Sequence, residues 1–192
     1  MVLTCIRFFV SPTVIPALIY FLLPYNNVWF NGIVALIFII VSMTDFLDGY
    51  YARLKKMETV EGAFLDPIAD KCLFFSTFIS LVTINKLFFY WAILFIARDF
   101  FVMSLRCFAY KHGFSLPVIF MAKMKTFCLL ILCTVIIANP YQSLGFTHAP
   151  YWNSLEMVLL LLSLFFSLFS AVCYYYIVRE KWKGVFYIKN DE

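Results

Sequence analysis

Long apolar runs broken by short polar stretches set the pattern of this chain. The breaks are "PYNN" from Pro24, "KKMETVE" from Lys55, "NK" from Asn85, "YKHGFSLP" from Tyr110 and "NPYQSLGFTHAPYWN" from Asn139. Each gathers turn formers or charges where lipid would penalise them. They divide the sequence into six predicted helices, over 2–24, 28–55, 62–84, 87–111, 117–138 and 154–180. Apolar runs of about 20 residues are what a helix needs to cross a bilayer. The pattern therefore predicts an all-α, polytopic membrane protein with six transmembrane helices: one membrane domain over 1–180 and a short tail over 181–192. The first apolar stretch, from about Phe8 to Leu23, lacks a small-residue cleavage site and further spans follow it. It is expected to be a retained helix rather than a signal peptide.

Composition sharpens this picture. Hydrophobic residues make up 64% of the chain, aromatic residues 21% and charged residues 14%, whereas a soluble domain carries roughly a quarter charged residues. The net charge of +4 is modest, so its distribution matters more than its sum. Arg53, Lys55 and Lys56 follow the second predicted helix; Lys111, Lys123 and Lys125 surround the connection from the fourth to the fifth; Arg179, Lys181, Lys183 and Lys189 close the chain. All lie on one side of an even-numbered helix set, with Lys86 on the other. The positive-inside rule then puts both termini and these connections in the cytoplasm, as in a multi-pass protein of a bacterial-type inner membrane, with an organelle inner membrane as the alternative. Tyr25, Trp29, Trp91, Trp152 and Trp182 fall where interfacial aromatic belts are expected. The six cysteines lack paired spacing and are expected as small buried apolar residues rather than disulfides or a metal cage. His112 and His148 lie far apart, there is no internal repeat, and no Walker or Rossmann glycine loop occurs. No nucleic-acid partner is expected.

Four acids stand out against this background. In "DFLDGYYARLKKMETVEGAFLDPIADK", from Asp45 to Lys71, Asp45 and Asp48 are three residues apart and Asp66 and Asp70 four apart. Each pair therefore shares a helical face, with Gly49 and Ala52 beside the first pair and Gly62 beside the second. Small residues let two helices approach and leave room for a flat ligand. Converging carboxylates raise one another's pKa unless a counter-charge is supplied. Three readings meet that need: buried ion pairs with Arg53, Lys71, Arg98 or Arg106; a proton or cation path of a transporter; or hard divalent cations, since Mg²⁺ takes oxygen ligands and binds together with substrate phosphates. Two such ions held by shared carboxylates can clamp both oxygens of a phosphoryl displacement.

The spacing Asp45-x2-Asp48-Gly49-x2-Ala52-Arg53-x8-Gly62-x3-Asp66-x3-Asp70 resembles the motif of the CDP-alcohol phosphatidyltransferase family at every fixed position. The resemblance implies a six-helix membrane enzyme, typically a homodimer, that displaces CMP from a CDP-linked lipid with an alcohol, using two divalent ions, Mg²⁺ or Mn²⁺. By the same resemblance Asp45, Asp48 and Asp66 are the principal metal ligands. Asp70 is the base that takes the acceptor's hydroxyl proton and also touches a metal. Asp48, Gly49, Ala52, Arg53 and Gly62 form the pocket for the cytidine diphosphate end of CDP-diacylglycerol.

The motif fixes the donor, not the alcohol. "LTCIRFFVSP" from Leu3, "GAFLDPIADK" from Gly62, "IARDFFVMSLR" from Ile96 and "AKMKT" from Ala122 together resemble the branch of that family whose acceptor is sn-glycerol 3-phosphate. That dianion needs a cationic pocket, and Arg98, Arg106, Lys123 and Lys125 are the candidate acceptor-phosphate residues. Their ordinary alternative is that the two lysines reach anionic headgroups and Arg98 pairs with Asp99. Other readings are a family member that uses phosphatidylglycerol or inositol phosphate as acceptor, and a small cation or proton transporter. A transporter more naturally places its acids near the midplane, on broken helices within inverted repeats.

Overall fold

A computed structural model describes the backbone of residues 2–25, 27–54, 60–114, 116–117, 119–140 and 150–190, and side chains at 12–25, 27–43, 71–114, 116–117, 119–140 and 151–182. The described chain is all helical: α1 (Val2–Leu22), a 3-10 turn (Leu23–Tyr25), α2 (Val28–Leu54), α3 (Val60–Thr83), α4 (Phe89–Lys111), α5 (Phe120–Ala138) and α6 (Pro150–Asn190). The six expected helices are present. The last differs most, starting at Pro150 rather than 154 and running past 180 to Asn190. Glu180 and the basic residues after it do not end a helix, because long charged side chains are good helix formers. Among the residues whose side chains are described, two helical segments, Phe120–Ala138 and Tyr151–Trp182, are long and apolar enough to cross a membrane by length and composition.

Two helix ends show how the breaks work. After α3, Asn85 takes a positive φ of 58°, which asparagine tolerates better than most residues. The Lys86 amide then donates back to the Leu81 carbonyl at 2.8 Å. After α4, Gly113 takes φ 78° and the Phe114 amide donates to the Ala109 carbonyl at 3.1 Å. Both are left-handed caps that satisfy the last helical carbonyls.

The chain forms two compact units, Met1–Ala92 with Leu130–Met157, and Ile93–Leu129 with Val158–Glu192. In the first, α1 packs along α3 and against α2. Ile15, Ile19 and Leu23 recur every fourth residue and are buried, as are Val34, Phe38, Phe78 and Leu81. Phe38 meets Phe74 edge to face with centroids 6.5 Å apart. Opposite faces expose Tyr20, Phe21, Ile33, Leu36, Ile40 and Ile79. Helices apolar on their outer face as well as their inner one belong in lipid.

A polar clasp joins four elements of this unit. The Asn139 carbonyl, just past α5, accepts from Asn31 Nδ2 of α2 at 2.9 Å and from Lys86 Nζ of the α3–α4 connection. Asn139 Nδ2 donates to Glu156 Oε1 of α6 at 2.7 Å. Asn31, Lys86 and Asn139 are all buried. Burial pushes the Lys86 ammonium down from 10.5 to about 8, with the Glu156 carboxylate pulling upward against it.

In the second unit α6 turns Leu160, Ser163, Ser167, Ser170, Ala171, Tyr174 and Val178 inward, and α4 turns Phe95, Asp99, Val102 and Ala109 inward. Serine and alanine along α6 keep its buried face narrow, which lets a neighbouring backbone come close. The described cysteines are free thiols, Cys128 and Cys133 buried and Cys107 exposed.

Candidate active site

The acid motif sits on two unbroken stretches of helix. Asp45, Asp48, Gly49, Ala52 and Arg53 fall within α2, and Gly62, Asp66 and Asp70 within α3. Helical backbone through both runs gives the three- and four-residue spacings their meaning: the members of each pair stand one turn apart on one face. The side chains of these eight residues lie outside the described residues. Among the described residues no three His, Cys, Asp or Glu side chains converge as a metal site.

The acceptor candidates are described, and they separate. Arg98 is held on three sides within its unit. Its Nε donates to the Ser167 carbonyl at 2.8 Å, one terminal nitrogen to Asp99 Oδ1 at 2.7 Å, and the other to Ser170 Oγ. Lys125 Nζ donates to the same Asp99 oxygen. Both ion pairs are well buried, with side-chain exposures of 9% for Arg98, 7% for Lys125 and 11% for Asp99. Two cations thus share one carboxylate oxygen.

Arg106 lies two turns further along α4. One terminal nitrogen donates to the Tyr174 hydroxyl at 2.9 Å, and the guanidinium carbon is 5.2 Å from the Tyr174 ring centroid. Its Nε is buried and has no partner among the described residues. Lys123 is not brought into this group. It is exposed while Lys125 is buried, because two residues along a helix turn the side chain by about 200°. Of the four cations read from the sequence, three line the buried face of the unit and one faces outward.

Sequence reasoning missed the residues that hold these cations. Asp99 was read as a partner for Arg98 alone, and Ser167, Ser170 and Tyr174 were not singled out. The legible signal was the spacing of Ser163, Ser167 and Ala171, small residues every fourth position in an otherwise bulky helix.

The profile of the CDP-alcohol phosphatidyltransferase family matches residues 1–171. The chain belongs to that family, and is thereby a membrane enzyme of the phosphatidyltransferase class. It is 32% identical to the CDP-diacylglycerol–glycerol-3-phosphate 3-phosphatidyltransferase of Rickettsia felis over 173 residues, 90% of this chain and 91% of the relative. It is 35% identical to the protein of the same name from Bacillus subtilis over 117 residues, 60% of this chain and 61% of that one. The Cereibacter sphaeroides protein of that name is 38% identical over 131 residues, 65% of this chain and 56% of the relative.

Proposed function

We propose that this protein transfers the phosphatidyl group of CDP-diacylglycerol to sn-glycerol 3-phosphate, giving phosphatidylglycerophosphate and CMP. The observation that carries this reading is the eight-position acid motif on α2 and α3 in a chain 32% identical, over 90% of its length, to a relative named for that reaction. All six helices cross the membrane in this reading. Both termini and the acid motif face the cytoplasm, as the distribution of basic residues favours. The active form is a homodimer, which its mass in detergent tests.

The donor set of the motif is four carboxylates, hard oxygen ligands suited to Mg²⁺ or Mn²⁺ rather than to softer metals. Asp45, Asp48, Asp66 and Asp70 are the residues that would hold two such ions. Bound there, the ions supply positive charge against the pyrophosphate and the departing CMP. The remaining work falls to the chain itself. Arg53 offers a fixed, planar charge to the phosphates of the donor. Gly49, Ala52 and Gly62 leave space for the cytidine diphosphate group. Asp70 takes the proton from the acceptor's hydroxyl oxygen as that oxygen attacks phosphorus. Arg98, Arg106 and Lys125 offer charge-assisted contacts to the acceptor's phosphate.

An acceptor panel tests the assignment. Purified protein with CDP-diacylglycerol receives glycerol 3-phosphate, phosphatidylglycerol, inositol phosphate or serine, and the lipid products are read by mass. Phosphatidylglycerophosphate as the main product is the expected result. Cardiolipin made from phosphatidylglycerol in preference to it would assign the chain to a different acceptor.

A further inference from the structure

Tyr174 stands beyond residue 171, where the family profile ends, yet it organises the cationic side of the second unit. Its side chain is wholly buried. The hydroxyl oxygen accepts from Arg106 at 2.9 Å and from the Ile119 amide at 3.3 Å. Ile119 immediately precedes α5, the helix that carries Lys125. One phenol oxygen thus ties α4, the start of α5 and α6 together.

The geometry around Arg106 is asymmetric in an informative way. A terminal nitrogen is engaged by the Tyr174 hydroxyl, whereas Nε is buried without a partner among the described residues. A buried donor without an acceptor is costly, and such groups are rare in native structures unless a ligand completes them. The Tyr174 hydroxyl accepts in both contacts, so its own proton points to an acceptor other than these two groups. The amino-terminal end of α5 lies alongside, and its first amides and dipole favour negative charge. The buried, unpartnered Nε of Arg106, the Tyr174 hydroxyl and the start of α5 therefore meet at one place.

We propose that Tyr174 is a positioning residue for the acceptor. Its hydroxyl holds Arg106 by one terminal nitrogen so that the Nε edge is presented to an oxygen of the acceptor's phosphate. This inference rests on the proposed use of sn-glycerol 3-phosphate. It assigns to α6 a role that the motif on α2 and α3 does not contain.

Tyr174→Phe is the discriminating variant. It removes only the hydroxyl and keeps the ring, which packs with Val102 and Ala171 and against Leu105, Leu116, Ile119 and Ala122. In full-length protein in detergent, the KM for glycerol 3-phosphate is expected to rise about tenfold, the loss of one charge-assisted contact. The turnover number and the KM for CDP-diacylglycerol should stay within about twofold. Because the hydroxyl acts through Arg106, adding Tyr174→Phe to Arg106→Gln should raise the acceptor KM no further than Arg106→Gln alone. An unchanged acceptor KM in Tyr174→Phe overturns the proposal, as do additive effects in the double variant. A Tyr174→Phe protein that loses donor affinity or fails to fold also overturns it, because the hydroxyl would then be a general structural pin. The wild-type arm tests the underlying reading separately. If wild-type protein makes no product from glycerol 3-phosphate, that reading fails, and the positioning role falls with it.

Discussion

Lys125 and Asp99 form a buried ion pair between α5 and α4, on the same carboxylate oxygen that accepts from Arg98. The sequence offers no hint of the sharing, since Arg98 is adjacent to Asp99 and Lys125 is 26 residues away. Asp99 thus serves both cations as a counter-charge.

Asp99→Asn is expected to destabilise the protein strongly, because it leaves two buried cations facing an uncharged amide. Breaking one side of a buried ion pair costs about 3–5 kcal/mol, which a thermal midpoint in detergent will register. Combining Asp99→Asn with Lys125→Met should recover part of that loss, since one of the stranded charges is then removed. Strictly additive losses would show that the pair is not coupled.

The two lysines of α5 should behave differently. Lys125→Ala removes a buried, ion-paired ammonium and is expected to lower stability and raise the KM for glycerol 3-phosphate. Lys123→Ala alters an exposed side chain and should change stability by no more than about 0.5 kcal/mol, with little effect on the acceptor. Arg98→Lys should resemble Lys125→Ala, because a point charge cannot reproduce three bonds made by a planar fork. Equal effects of Lys123→Ala and Lys125→Ala on acceptor KM would contradict this division.

Chelation should abolish CMP release, and Mg²⁺ or Mn²⁺ should restore it; full turnover in metal-free buffer would refute the metal role of the acids. Within the motif, Asp66→Asn should weaken metal binding through the loss of a ligand charge. Asp70→Asn should leave CDP-diacylglycerol binding in place and lower turnover by on the order of a hundredfold or more, as expected when a general base is lost.

Lys86 gives a pH signature. Its folded-state value is about 8 against 10.5 for an ordinary lysine. Between those values the unfolded chain holds a proton that the folded chain has released, so stability rises with pH across that window. Below about 8 the cost of burying the ammonium is fully present. Lys86→Met should remove this part of the pH dependence, seen as a flatter thermal midpoint from pH 8 to 10.5 than the wild type shows. Parallel profiles would mean that Lys86 titrates as an exposed lysine.

Helix number and order were legible because charges and turn formers are costly in lipid, so each break marks itself. "NK" and "YKHGFSLP" became left-handed caps at Asn85 and Gly113, close to where turn chemistry predicted an ending. The end of α6 was less legible, since Glu180 to Lys183 is polar yet helix-forming, and polarity alone does not distinguish a tail from an extended helix. The acid motif was legible as spacing. Its neighbours on α4 to α6 were legible only as charge: Arg98 and Lys125 were visible as cations, but not that Asp99 unites them. Lys86 and Asn139 read as a topology marker and a helix break, whereas the Lys86 ammonium donates to the buried Asn139 carbonyl. Contacts between residues far apart in sequence, and contacts made by backbone atoms, leave no local pattern to read.

Ser167 illustrates the second kind. It serves Arg98 through its carbonyl oxygen, while its own hydroxyl is buried without a partner among the described residues. Ser170 does the reverse, meeting Arg98 with its side chain. Alanine at position 167 would therefore keep the contact, which its backbone makes. Alanine at position 170 would lose it, because there the side chain makes the contact. One arginine is thus anchored by two serines of which only one needs to be a serine, so half of its anchor belongs to the path of the α6 backbone rather than to any side chain.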